Sequence, residues 1–299
     1  MTRIAAIGEC MIEMAPTGPA GLYRMGFAGD TLNTAWYLRQ LLPAADRIDY
    51  VTAVGRDAAS DQMLDFLRGA DLGVDHIARS SDRTVGLYMI QLQDGERSFS
   101  YWRGQSAART LADDPAALTE ALSGADLAVF SGITLAILPP AGREALLEAL
   151  AELRGRGGTI VFDPNLRPRL WASPSEMTGA ITRAAAVSDI ALPSHEDEAA
   201  WFGDADPEAT AARYAGSGVG CVIVKNGPGP VLARVAGVQT WHETQAVETV
   251  VDTTAAGDSF NAGYLAAQLQ GRSIDEAVAA AAGLAGRVIR SHGALVPIA

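Results

Sequence analysis

Short apolar runs bounded by Gly, Pro and Asp alternate along this chain with longer stretches whose apolar residues recur every three to four positions. The runs at 3–15, 50–55, 127–130, 159–162, 189–192, 219–224 and 247–251 predict strands. The periodic stretches at 57–70, 141–154, 175–186, 194–202, 207–215 and 274–290 predict helices. Residues 29–33 lead into a further helix carrying Ala35, Trp36, Leu38 and Leu42 and stopped by Pro43. From residue 127 onward strands and helices alternate, which argues for a mainly parallel sheet with helices on both faces. Runs 85–92 and 97–103 break that rhythm. Joined by Gln93-Asp-Gly-Glu96, they read as a hairpin. With residues 10–28 they predict a small sheet outside the main one, placed to act as a lid. A strand pair is expected at 231–233 and 238–241. There is no Pro/Gly/Ser linker and no internal repeat, so residues 1–299 read as one α/β domain with the lid strands inserted in it.

Composition narrows the function. A net charge of −12 argues against a nucleic-acid partner, because a phosphate backbone demands clustered Lys and Arg. An anionic small molecule must then be held by a local basic pocket against the overall field. Cys10 and Cys221 have no metal-ligand spacing and read as buried free thiols of a reducing compartment. Glu9 and Glu13 interrupt the N-terminal apolar run, and the uncharged run 127–142 contains Pro139 and Pro140. Neither suits a bilayer, so the expectation is a cytoplasmic protein with no membrane partner. Lys225 is the only lysine among 23 Lys and Arg residues, and Val224 precedes it. A Gly-Lys-Ser/Thr phosphate loop is therefore absent.

The richest stretch chemically is 252–261, Asp-Thr-Thr-Ala-Ala-Gly-Asp-Ser-Phe-Asn, which runs into a helix. Small residues Ala255, Ala256 and Gly257 sit where backbone N–H groups lack intrahelical partners, and a helix N-terminus favours anions. Asp258 adds a carboxylate in the same turn, although a plain capped helix start explains the stretch equally well. Asp163-Pro-Asn165-Leu-Arg167-Pro and Lys225-Asn226-Gly227-Pro-Gly229-Pro each follow a buried strand. Ligand groups in open α/β sheets come from such strand ends, and the alternative is an ordinary turn. Tyr101-Trp-Arg103 offers an aromatic wall and a guanidinium suited to a carboxylate, or a solvated cross-strand pair. Asp30 and Asn33 beside Gly29 bind hydroxyls or cap the helix. In Ser194-His-Glu-Asp197-Glu198 the carboxylates hold Mg²⁺ through water or simply favour the helix dipole.

Taken together, these motifs resemble the PfkB (ribokinase-like) family of carbohydrate kinases over nearly the whole chain. Gly29-Asp-Thr-Leu-Asn33 is similar to that family's sugar-binding signature, and 252–258 to its Asp-Thr-x-Gly-Ala-Gly-Asp signature. The resemblance implies a three-layer αβα sandwich with a mainly parallel central sheet and a small β-sheet lid. It implies Asp258 as the base that takes a proton from the substrate hydroxyl, with the N–H groups of Ala255, Ala256 and Gly257 as the anion hole. Lys225, Asn226, Gly227 and Gly229 then lie along ATP, Asn165 and Ser194 face the nucleotide, and Asp197 and Glu198 stand nearest Mg²⁺. Within the family, Gly86-Leu-Tyr88-Met-Ile90 and Tyr101-Trp-Arg103 look like the sugar-acid branch. Its reaction is ATP-dependent phosphorylation of the 6-hydroxyl of 2-dehydro-3-deoxygluconate. Gly29, Asp30, Asn33, Tyr88, Tyr101, Arg103 and Arg167 are the implied substrate contacts, the two arginines being buried partners for its carboxylate. The other readings are a fructose, ribose or different hexonate kinase, and a non-catalytic sugar-acid sensor. A homodimer through the lid sheet is also expected. Two positions depart from the family pattern. Ser194-x-x-Asp197 replaces Asn-x-x-Glu, and Ala255 stands where the family has Gly. Because Ala tolerates φ > 0 poorly, residue 255 is expected in a right-handed or extended conformation.

Overall fold

Successive buried residues of the first strand, β1 (Arg3–Ile7), enter opposite cores, and that alternation decides the layering. Ala5 and Ile7 enter one core and Ile4 and Ala6 the other. The computed structural model describes residues 1–19, 21–93, 96–245 and 247–298. After β1 the chain forms β2 (Met11–Pro16), β3 (Tyr23–Ala28), α1 (Asp30–Leu41), β4 (Arg47–Val51), β5 (Ala53–Val54) and α2 (Ala58–Gly69). Next come β6 (Ala78–Arg79), β7 (Gly86–Gln93), β8 (Glu96–Trp102), α3 (Pro115–Leu122), β9 (Leu127–Ser131), α4 (Gly132–Ile137) and α5 (Pro140–Gly155). The second half holds β10 (Thr159–Asp163), α6 (Pro174–Ala186), β11 (Ile190–Ala191), α7 (His195–Phe202), α8 (Pro207–Gly216) and β12 (Cys221–Val224). β13 (Val231–Val235), β14 (Val238–His242), α9 (Ala256–Leu269) and α10 (Ile274–Val288) complete it.

Eight strands build the main sheet in the order β14-β13-β12-β11-β10-β9-β1-β4, parallel except for β13 and β14. Helices α3, α4, α5, α6 and α8 cover one face, and α1, α2, α9 and α10 the other. This is the three-layer arrangement expected. A second sheet, ordered β3-β2-β7-β8, stands apart as the expected lid sheet does. Its hairpin turn at Asp94-Gly95, Ala20 within 10–28, and Ala299 lie outside the described residues.

Three expectations need correction. The β-rich run 3–15 holds two strands, because the chain leaves the main sheet at Gly8-Glu9-Cys10 and pairs β2 with β3 and β7, as the lid reading of 10–28 expects. Cys10 therefore lies between strands. The run 50–55 is split between β4 and β5, which belong to different sheets. Residues 247–251 form no strand: the Val251 N–H bonds the Ile289 carbonyl, and Val250 and Val251 are exposed. The run pairs with no described strand of any sheet. Helices α3 and α4 went unforeseen; α4 is short, and its start is set by a reciprocal pair of bonds between Ser131 and Thr134.

The parallel strands bring Glu9, Ser131, Asp163, Ser194 and Lys225 to one rim, each just past or at the end of its strand. Helices α1 and α9 begin at that rim and pack on each other. Gly29, at the entry to α1, has extended backbone, yet a β-carbon there would collide with the Glu9 carbonyl oxygen. Close approach is what requires glycine at this position.

Candidate active site

Asp258 occupies the first turn of α9, where the helix dipole and the free N–H groups face the rim. Its Oδ2 accepts a bond from Asn33 Nδ2 at 2.7 Å, and its carbonyl accepts from Thr34 Oγ1 at 3.3 Å. These two bonds join the helices that carry the two signature motifs. Asn33 Oδ1 in turn accepts from the Gly29 N–H at 3.3 Å. Although Asp258 is partly open to solvent by area, its surroundings are interior. Burial pushes its carboxyl up to about 8, with the charges of Asp30 and Asp163 adding and Asn33 and Lys225 opposing. Asp30 is also raised, chiefly by burial, and its Oδ2 accepts from Asn165 Nδ2 at 3.2 Å. Asn165 is held at φ 34°.

The cradle differs from expectation in two respects. Ala255 sits in the left-handed region at φ 59° and ψ 17°, overturning the right-handed or extended reading. The backbone is fixed on both sides of it, by Ser259 N–H to the Ala255 carbonyl at 2.9 Å and Ala256 N–H to the Thr253 carbonyl at 3.1 Å. That turn over-determines the conformation and carries a cost of about 1–2 kcal/mol for a β-carbon. Second, the Ala256 N–H is already engaged. The first-turn donors without an intrahelical acceptor are those of Gly257 and Asp258. Asp252 staples the loop behind them, accepting from Thr254 N–H at 3.0 Å and from Gly293 N–H at 2.7 Å.

Lys225 closes the cradle from the side. Its Nζ donates to Asn261 Oδ1 at 3.1 Å and to Asp163 Oδ1 at 3.4 Å, and a β-carbon at Gly257 would lie 3.6 Å from it. Lys225 pairs with Ser194 across the β11–β12 strand ends. Asn226, Gly227 and Gly229 form the turn that follows, with Gly227 at φ 55° and Gly229 N–H on the Asn226 carbonyl at 2.8 Å. Asp163 and Asn261 belong to this site and were not singled out from the sequence. Their signals were there: a carboxylate ending a buried strand, and an amide three residues after Asp258.

On the lid side, Tyr88 donates to Glu13, and both are buried. The Tyr101 ring is half exposed, 5.9 Å from that of Tyr88. Arg103 is buried as expected but already paired, with the fully buried Glu9. Arg167 is exposed instead of buried, 3.8 Å from Asp197. The argument that two buried arginines await a substrate carboxylate therefore fails for both. Burial raises the Asp197 carboxyl, with Asp163 and Glu196 adding and Arg167 and Lys225 opposing. Glu198 points elsewhere: its oxygens bond Arg213 and Tyr214 between α7 and α8. Among the described residues no group of three or more His, Cys, Asp or Glu is set to hold a metal.

A carboxyl raised by burial, a helix N-terminus with free N–H groups and one ammonium can together serve group transfer, a chemistry in which positioning does most of the work. The model of the pfkB family carbohydrate kinases matches residues 1–299. A 2-dehydro-3-deoxygluconokinase of Escherichia coli (strain K12) is 43% identical, covering 99% of this chain and 97% of its own. That of Dickeya dadantii (strain 3937) is 42% identical with the same coverage. The solved structure of a 2-dehydro-3-deoxygluconokinase from Thermotoga maritima superposes with a TM-score of 0.87 at 21% identity, over 100% of this chain and 97% of that one, and shares the fold.

The left-handed residue yields a direct test. Ala255→Gly should hold thermal stability, because relief of strain offsets the greater freedom of the unfolded chain. Ala255→Val should lose about 1–3 kcal/mol, read as an earlier melting transition. Equal tolerance of Val and Gly would show that residue 255 is not held left-handed.

Proposed function

We infer the reaction from one premise: this chain belongs to the pfkB family of carbohydrate kinases. It is an ATP-dependent kinase that phosphorylates the 6-hydroxyl of 2-dehydro-3-deoxygluconate, giving 2-dehydro-3-deoxy-6-phosphogluconate and ADP. The observation that carries this is full-length identity of 43% and 42% to relatives of that one activity.

The geometry supplies a mechanism for it. Asn33 fixes one oxygen of Asp258, leaving the other to accept the proton of the 6-hydroxyl as its oxygen attacks the γ-phosphorus. A carboxyl titrating at about 8 is a stronger base than a solvated one, and repulsion from Asp30 and Asp163 favours its taking the proton. The N–H groups of Gly257 and Asp258, the α9 dipole and the Lys225 ammonium meet the negative charge of the transferred group. Burial first, then the Asp163 and Glu196 charges, raise Asp197, and one such carboxylate fits a Mg²⁺ that takes its remaining ligands from water and ATP phosphate oxygens. Asp197 would hold it, through water, and Glu198 would not. When bound with ATP, Mg²⁺ neutralises phosphate charge and aligns the leaving group. Tyr88, Tyr101 and Arg103 come from the small sheet, which covers the sugar and keeps water from the phosphoryl group.

A neutral-sugar kinase is the second reading, favoured by one observation: Glu9 already matches the charge of Arg103. Recognition of the acid then falls to Arg167, whose guanidinium is exposed and loosely paired. With ATP as donor the reaction belongs in the cytoplasm, and no described helix is long and apolar enough to cross a membrane.

Three measurements check these readings. The kcat/KM of the free enzyme should rise tenfold per pH unit up to a plateau near 8, because Asp258 is protonated below that value. Asp258→Asn should lower kcat by roughly 10² or more, and an unchanged turnover would remove the base. A coupled ADP-release assay over sugars and sugar acids should favour 2-dehydro-3-deoxygluconate over fructose by roughly 10² in kcat/KM; the reverse order would establish the second reading. The small sheet also leaves Met25, Tyr101 and Trp102 exposed, which suits pairing of two copies through it. Sedimentation at micromolar concentration should give a dimer or larger, and a monomer would refute that pairing.

A further inference from the structure

Asp163, Lys225 and Asn261 form a closed triangle. Lys225 Nζ donates to Asp163 Oδ1 at 3.4 Å and to Asn261 Oδ1 at 3.1 Å, and Asn261 Nδ2 donates to Asp163 Oδ2 at 2.8 Å. The three residues come from the end of β10, the end of β12 and the second turn of α9. Asp163 is 8% and Asn261 1% exposed, so neither is a solvated surface group. A buried carboxylate is costly unless paired, and here both its oxygens are engaged within the site.

An ammonium has three hydrogens. Two are used by the triangle, and the amine stands beside Gly257, at the mouth of the cradle. Lysine is a point charge on a flexible stem with many rotamers. Left unanchored in a rim crowded with carboxylates, it would collapse onto Asp258 or Asp30 and quench the base. We propose that Asp163 is a positioning residue of the phosphoryl transfer. With Asn261 it fixes the Lys225 ammonium beside Gly257, so that the charge is in place before the transferring group develops its own. The proposal rests on the kinase reading above. It assigns no proton transfer to Asp163, which acts only through Lys225. Because Asn261 lies on the helix that carries Asp258, the triangle also sets the amine and the base in one frame.

Asp163→Asn keeps the shape but removes the charge and turns an amide toward the amine. The test compares wild type, Asp163→Asn, Lys225→Met and the double variant for kcat, sugar KM, ADP affinity, and affinity for ADP with aluminium fluoride, a mimic of the transferring group. Asp163→Asn should lower kcat by about 10²-fold, as loss of one stabilising donor does. Sugar KM and ADP affinity should stay within about threefold, while affinity for ADP with aluminium fluoride falls in step with kcat. The double variant should be no slower than Lys225→Met alone. Near-wild-type kcat in Asp163→Asn, or an equal loss of ADP and ADP–aluminium fluoride binding, would overturn the proposal. Should Asp163→Asn melt early, Asn261→Ala removes the other anchor and must show the same loss confined to kcat. A wild type that prefers a neutral sugar leaves these comparisons intact on that sugar. A wild type with no kinase activity would sink the kinase reading, and the ADP–aluminium fluoride comparison would then decide the triangle alone.

Discussion

Burial of several carboxylates side by side at one rim governs this molecule. Asp258 is raised by burial and by the charges of Asp30 and Asp163, and Asp30 is itself raised. The topology leaves little choice in the matter. Parallel strands end on the same side, so everything the loops carry converges there. Asn33, Asn165 and Asn261 answer the crowding with neutral donors, each bonded to a different one of these three carboxylates. They hold the acids in position without cancelling their charge. Lys225 is the one lysine, and Asp163 and Asn261 anchor it beside Gly257.

The same site stores backbone strain. Ala255 and Asn165 both sit at positive φ, flanking the rim from α9 and from the end of β10. Such conformations persist only where the surroundings over-determine them. For Ala255 the determinants are the hydrogen bonds on either side, and its methyl packs against buried apolar neighbours. The cradle's shape thus belongs to the turn and not to the residue type that usually fills it.

Much of the fold could be read from the sequence because period and burial agree: β1, α2, α5, α6, α8 and the hairpin strands β7 and β8 have clean patterns, and Asp57, Ser173 and Asp206 cap α2, α6 and α8. Residues 247–251 misled for a physical reason, since an apolar run makes a strand only where it pairs with another. Among site residues, those within continuous motifs (Asp258, Asn33, Lys225) fall together in space. Glu9 and Glu13 were noted only as breaks in an apolar run, because nothing local says that Arg103 and Tyr88 lie across from them. Glu198 was misread for the mirror-image reason. Its helical position favours a charge, but Arg213 and Tyr214, 15 and 16 residues along the chain, claim it first.

The scarcity of lysine has a practical side. With no second lysine in the chain, a reagent that acylates or reductively alkylates amines finds one internal target, and that target is Lys225, its side chain 11% exposed and its Nζ beside Gly257. Coupling this protein to a bead or a dye through amines is therefore a choice between its N-terminus and the rim that carries Asp258. Its surface offers arginine and carboxylate chemistry in abundance, and no lysine amine away from that rim.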